Sequence, residues 1–425
     1  MFTKTITTDF FTTIDGNICI NTLDTLTYRL PTLRTGWSIT AFERELLEYL
    51  ETPDSEILSF YRWSEALYHA LEIIWIEKKN EVILQWYTCS VVSNAVKQSW
   101  AKLVYSDIDE STLWFDLEIL KKNITKKTKV ILVQHTFGKP IDMNAIVKIA
   151  KEKNIIVIED CAHSLWSKIS DKQTWTYGDF AIFSTGRDKV ISSVTGWFLV
   201  INNPEYFDKA NRMRDLLDMP SRVLTLRNLA YNILWYIAYK TYDIAKLWRV
   251  IMMLSRKMKL ITEILSKEEK ACQRKKFWTA FPNSLAYLWR KELAKIQSYI
   301  THRKNLWELY DMHINTEVWK KVFTEESNEY LNWFRYPFIL KSRKIQKEFV
   351  KYMKSHNILV WTSWSGSNIA PKSIKLKDAM YKKWSCKISE DIARRIVFLP
   401  NHMWISTEEV IKISQLINKF ESKYA

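Results

Sequence analysis

The sequence predicts an α/β fold: a mixed, mainly parallel sheet flanked by helices, followed by a smaller C-terminal α+β domain. Three observations predict it. Strand-like and helix-like segments alternate between residues 57 and 201. Several strand segments are apolar throughout, as strands buried on both faces are. The chain has 425 residues, 47% of them apolar and 26% charged, enough for two or three domains of ordinary globular composition.

Residues 1–37 read as an irregular N-terminal arm rich in Thr. Thr40 then caps a helix reaching Leu50, with apolar residues at 42, 46, 47 and 50. Ile57–Phe60 reads as a strand. Glu65–Ile74 reads as a helix with Ala66, Leu67, Ala70 and Leu71 on one face. Strands Glu81–Leu84, Lys102–Tyr105, Lys129–Gln134 and Ile155–Glu159 alternate with helices Val91–Lys97, Leu117–Lys122 and Met143–Lys153. Phe180–Phe183 and Trp197–Ile201 complete a large domain over 38–220.

Residues 221–280 form a helical insertion. The long uncharged run, Asn228–Tyr239, is shorter than the about 20 residues of a spanning helix. It reads as a buried or interface helical pair, or as a helix lying on a membrane surface. The small domain, 281–425, takes a helix over Leu285–Ile300, a second over Asn305–Tyr310, strands near Phe338–Leu340 and Ile358–Val360, and a last helix over Glu408–Phe420.

The formal net charge is +16, which fits a Lys-rich surface, an anionic substrate or an acidic membrane. No zinc-finger spacing and no basic arm points to nucleic acid, and no ligand spacing points to a metal. Five widely spaced cysteines without a CxxC pair fit a reducing compartment. Met1–Asp15 lacks the basic start and apolar run of a signal peptide, so a cytoplasmic protein is expected.

Three segments carry chemistry. The apolar strand Ile155–Ile158 runs into Glu159 and Asp160 at the end where open α/β sheets bind ligands. Asp160 could hold a pyridine nitrogen protonated, or simply cap the next helix. Lys189 follows the strand Phe180–Phe183 in a loop containing Ser184 and Arg187. It is placed either to condense with an aldehyde, with Arg187 acting on it by like charge, or to be a solvated basic residue. Arg62-Trp63-Ser64-Glu65 opens a helix, whose backbone amides bind phosphate.

Taken together, the turn at 63–65, VQHTFG (133–138), IEDCAHS (158–164) and FSTGRDKVISSVTGW (183–197) resemble the DegT/DnrJ/EryC1/StrS family of PLP-dependent sugar aminotransferases over about residues 30–215. The resemblance implies PLP-dependent transferase fold type I, pyridoxal 5'-phosphate as cofactor, and a homodimer. It implies transfer of an amino group, with L-glutamate as donor, to a nucleotide-linked keto-sugar for surface glycan synthesis. It makes Lys189 the Schiff-base lysine and Asp160 the partner of the pyridine nitrogen. His163 is placed beside the ring, and Ser184 with the turn Trp63, Ser64 and Glu65 on the phosphate. His135 is the histidine at a strand end, and Cys89 stands where many members have a stacking aromatic. A dehydratase branch of the family replaces the lysine with histidine, and Lys189 argues against it. A second class of function is a non-catalytic PLP-fold binding or regulatory protein, associated with a membrane through 221–268.

One count is abnormal. The chain has 20 Trp and 7 Gly, where roughly 30 Gly are expected at ordinary usage of about 7%. By the resemblance, Trp63, Trp166, Trp175 and Trp197 occupy glycine positions, and Trp75, Trp86, Trp100, Trp361, Trp384 and Trp404 look similar. The expectation is UGA-glycine recoding: a UGA codon read as glycine in the host and written as tryptophan.

Overall fold

A computed structural model describes residues 5–8, 15–62, 64–169, 172–241, 244, 247–263, 278–314, 319–322, 331–362 and 376–424. A short strand β1 (Ile6–Thr7) precedes β2 (Glu56–Phe60), β3 (Glu81–Gln85), β4 (Lys102–Ser106), β5 (Thr128–Gln134) and β6 (Ile156–Asp160). A small hairpin, β7 (Lys168–Ile169) and β8 (Lys172–Gln173), leads to β9 (Phe180–Ser184) and β10 (Trp197–Ile201). The central sheet has seven strands in the order β2-β10-β9-β6-β5-β3-β4. Only β10 runs against its neighbours. The fold class is the one the sequence predicts.

Both faces are packed, which is why the strands are apolar throughout. Leu58, Leu84, Leu132, Ile158 and Ile182 point into one core, while Ile83, Ile131 and Val157 point into another on the opposite face. This is the period-two alternation of a pleated strand with an apolar layer on each side. Polar caps start the covering helices. Asp116 accepts from the amides of Glu118 and Ile119, and Asp142 from that of Asn144.

Beyond the sheet, β11 (Trp319–Lys321), β12 (Tyr336–Leu340) and β14 (Ile396–Leu399) form an antiparallel three-stranded sheet. The pair β13 (Ile358–Leu359) and β1 joins the two ends of the chain in parallel. Helices Arg343–Ser355 and Thr407–Glu421 pack on this sheet through Phe349, Ile413, Ile417 and Phe420.

Two readings of the sequence are corrected. The described part of residues 1–37 is not all irregular, since Gly16–Tyr28 is a helix capped by Asp15. Thr22, Thr25 and Thr27 return their hydroxyls to the carbonyls of Ile18, Asn21 and Leu23. Burial of Ile18 and Cys19 against Tyr231 and Trp235 of helix Arg222–Lys240 outweighs the poor local propensity. In the stretch 285–310 the break between the two helices falls at 294–295 rather than after Ile300: they are Asn283–Leu293 and Ile296–His313.

Among the described residues, thirteen non-glycines have positive φ, and five of these are Trp: Trp75, Trp100, Trp166, Trp333 and Trp384. Trp75 sits one residue past the C-cap of helix Glu65–Ile73. Its amide bonds to Glu72 and that of Ile76 to Leu71, the Schellman motif that glycine ordinarily closes. Trp75 is 74% exposed and Trp100 52%, so neither ring gains enough burial to offset a strained backbone. Trp75→Gly and Trp100→Gly, made in the chain as written, should each raise the unfolding free energy by about 1 kcal/mol. Denaturant titration measures this, and unchanged or lowered midpoints would refute it.

Candidate active site

The carboxyl ends of β2, β3, β5, β6 and β9 share one edge of the sheet, where the parallel strands deliver their following loops. Asp160 is the last residue of β6 and is buried; its Oδ1 accepts from the amide of Ala162 at 3.0 Å. Burial pushes its carboxyl up, while the Ala162 amide and the charge of Lys189 pull it down. Lys189 is likewise buried, and its Nζ lies 3.1 Å from Nε2 of His163. Burial, then the charges of Lys189 and Arg335, hold His163 well below the usual imidazole range. A neutral imidazole therefore stands against the amine.

Cys89 caps helix Ser90–Gln98. Burial raises its thiol, and Lys189, Asp188 and Asp160 all act on it electrostatically, so it stands in the same cluster. Tyr87 is edge-on to Phe137 at 5.9 Å, and Phe137 stacks in turn on His163 at 6.1 Å. Ser184 ends β9, and its Oγ accepts from the Gly186 amide at 3.3 Å. Ser64 is buried at the N-cap of helix Glu65–Ile73. The Glu65 carboxylate accepts from the amides of Arg62 and Thr279, and burial pushes it up to about 8. Its side chain ties the turn to the start of the helix. Trp63 lies outside the described residues.

The strand-end His135 lies on the face of the sheet away from Lys189, and Arg187 does not act on the lysine. Successive residues of β6 point to opposite faces, and His135 bonds Glu159 (3.1 Å) rather than Asp160, while its Nδ1 accepts from the Ile141 amide. It organises the strand ends from the far face. His135, Glu159 and Cys161 bring ligand atoms within 4.8 Å of one another. Glu159 is already satisfied by His135 and by the Tyr177 and Gly178 amides, so hydrogen bonding accounts for the cluster. Arg187 also turns away. Its guanidinium donates to the Thr262 carbonyl and hydroxyl at 2.7 Å and lies 3.8 Å from the Tyr231 ring centroid.

Sequence reasoning missed the second layer. Asn332 donates to the carbonyls of His163 (2.6 Å) and Leu165 (2.9 Å), fixing the histidine turn. Arg335 donates to the Asp188 carbonyl at 3.3 Å, and Arg303, fully buried, donates to Val190 at 2.9 Å. Phe334 lies against His163 with centroids 5.0 Å apart. The available signal was an asparagine and an arginine inside the otherwise apolar run LNWFRYPFIL. Gly138, with φ +87°, lets this layer close: a Cβ there would lie 2.2 Å from Asn332 Oδ1 and 3.0 Å from the His163 carbonyl.

The DegT/DnrJ/EryC1/StrS aminotransferase family model matches residues 23–221 and 277–418. The GDP-perosamine synthase of Escherichia coli O157:H7 is 24% identical over 357 residues, covering 84% of this chain and 83% of that protein. Two solved structures share the fold, each with a TM-score of 0.74. One is a putative sugar aminotransferase, Spr1654 from Streptococcus pneumoniae in its PLP form, 17% identical over 100% of this chain and 99% of that one. The other is Helicobacter pylori PseC, an aminotransferase involved in pseudoaminic acid biosynthesis, 18% identical over 99% and 100%.

Two outcomes follow from this geometry. Gly138→Ala should displace Asn332 and the His163 turn, costing about 1–3 kcal/mol of stability and lowering kcat/KM; wild-type values in both would refute it. His402 accepts from the Trp404 amide on Nδ1 and bonds the Thr7 carbonyl through Nε2, and burial holds it down at about 4. Unfolded, it titrates near 6.5, so the native state binds fewer protons between those values. Stability should therefore fall as pH drops from about 6.5 to 4, by up to about 3 kcal/mol. His402→Gln should flatten this limb in urea titrations across pH, and an unaltered slope would count against the assignment.

Proposed function

The chain belongs to the DegT/DnrJ/EryC1/StrS aminotransferase family and uses pyridoxal phosphate, and we propose that it moves an amino group from L-glutamate to a keto-sugar carried on a nucleotide, for surface glycan synthesis. The observation that carries this is the buried Lys189 amine, 3.1 Å from a neutral His163, beside Asp160 at the sheet's carboxyl edge.

The residues present fit the cofactor. Bound, it supplies an aldehyde that condenses with amines and a pyridinium ring that accepts an electron pair. Lys189 is the amine for that aldehyde. Asp160 is a buried carboxylate whose charge burial disfavours, and a cation beside it restores that charge. Ser184 and the amides opening helix Glu65–Ile73 suit the phosphate, and Cys89, in the same cluster as Lys189 and Asp160, would face the ring. With the cofactor in place, the Lys189 amine would hold and move a proton at its Nζ. Arg335 and Arg303, buried in the small-domain layer behind the lysine loop, favour anionic substrates.

Further parts of the reading are a homodimer and the division at 37, 220 and 280. A cytoplasmic setting is supported by the free thiols of Cys19, Cys89, Cys161 and Cys386. We also read glycine at most of the Trp positions named above. Left-handed backbone at Trp75, Trp100, Trp166 and Trp384 supports this. So does crowding at Trp86, whose ring centroid lies 3.2 Å from that of Tyr381, inside ordinary carbon contact. Peptide masses from the native host decide it, and tryptophan at 63, 75 and 100 would end the idea.

Purified protein with glycine at those positions should show the yellow absorbance of lysine-bound cofactor, and Lys189→Ala should lose both the band and transamination. Titrating the aminated cofactor form with nucleotide keto-sugars should restore the yellow band in the unsubstituted protein. A colourless wild type would overturn the reading of Lys189. A yellow enzyme that no nucleotide keto-sugar discharges would overturn the substrate alone.

A further inference from the structure

The family match breaks between residues 221 and 277, and the described part of that gap is a helical hairpin, Arg222–Lys240 and Leu247–Lys257. Its inner side is buried: Tyr231, Trp235, Met252 and Ile261 pack with the N-terminal helix. Its outer side is apolar. In Leu247–Lys257 and the residue after it, Val250, Leu254 and Met258 form a stripe at helical spacing, widened by Met253. Met253 is 59% exposed and Met258 65%. Six basic residues of 222–259 are also exposed, among them Arg249, Arg256, Lys257 and Lys259, and the one exposed acid among described residues 221–263 is Glu263. No described helix is long and apolar enough to cross a membrane.

We propose that this hairpin face docks the enzyme on an anionic phospholipid surface, with the helix Leu247–Lys257 lying in the plane of the headgroups. An apolar stripe bordered by Arg and Lys and nearly free of acids suits that plane: the stripe enters the acyl boundary while the cations meet phosphates. A second copy of the chain is the less suitable occupant, because two faces with this excess of positive charge would repel. The placement is independent of which sugar the enzyme aminates.

Co-sedimentation of the full-length protein with vesicles tests it. Binding to phosphatidylcholine vesicles containing phosphatidylglycerol should be at least roughly tenfold tighter than to phosphatidylcholine alone, and should weaken as salt rises. Met253→Glu with Leu254→Glu, and separately Arg256→Glu with Lys257→Glu, should each abolish the difference while leaving the cofactor absorbance in place. Equal or absent binding to both vesicles would overturn the proposal. So would sedimentation velocity showing that Met253→Glu with Leu254→Glu splits an oligomer, which would give the face to a second copy.

Discussion

The site depends on one contact, a buried lysine amine held against an uncharged imidazole. Both groups are out of water, so neither is positioned by solvent and each relies on what surrounds it. His163 cannot gain a proton cheaply, because Lys189 and Arg335 add like charge to the cost of burial. It can therefore accept from the amine rather than repel it. That arrangement is only as good as the backbone of the histidine turn. Asn332 spans the two carbonyls of that turn, and Gly138 leaves room for Asn332 to do so. Phe137 and Phe334 hold the ring from two sides. The contact is thus fixed from three distant stretches of chain, after β5, after β6 and before β12.

A second chain of bonds links the loops around that contact to the helical hairpin. Thr262 accepts from Arg187 in the lysine loop and donates its hydroxyl to Asn228. Asn228 donates to the Tyr61 hydroxyl at 2.6 Å, and Tyr61 stands just before the turn at 63–65. The lysine loop and that turn, which come from different strands, are therefore tied through side chains of the hairpin. Removing the hairpin would strand a buried guanidinium and a buried tyrosine hydroxyl, each costly without a partner. The segment that reads as an addition to the fold is also part of the wall of its site.

What the sequence made legible follows from periodicity and strand ends. The strands were found because both faces of the sheet are buried, so Ile155–Ile158 carries no polar interruption. Asp160 and Lys189 were singled out by the resemblance, at ends where such strands stop and ligands gather. His135 was legible only as a strand-end histidine, because a strand end has two faces and the residue alone does not say which one it takes; its partner Glu159 does. The helix Gly16–Tyr28 was hidden by its threonines, whose fit depends on a partner helix more than two hundred residues away. Asn332, Arg303 and Arg335 were hidden for the same reason. Their roles exist only when the small domain folds back over the lysine loop, and no local pattern announces that.

The tryptophans separate into two physical kinds, and the distinction bears on how the chain folds. At 75, 100, 166 and 384 the backbone is left-handed, a conformation that a β-carbon disfavours whatever the ring touches. At 175 the backbone is not left-handed. There the indole is fully buried, donates to the Leu50 carbonyl at 2.8 Å and packs on Phe183. A glycine at 175 relieves no strain and gives up a filled site, so the case for it rests on resemblance to the family turn and not on conformation. Trp86 and Trp404 lie between these kinds, with buried indole nitrogens that have no hydrogen-bond partner among the described residues. Glycine at the first group removes strain, at the intermediate group removes orphaned donors, and at 175 obliges Leu50 and Phe183 to close on one another. The same exchange of residues thus has opposite local signs at different turns, and the chain with glycine at all of them must pack the end of helix Trp37–Tyr49 differently from the chain with tryptophan.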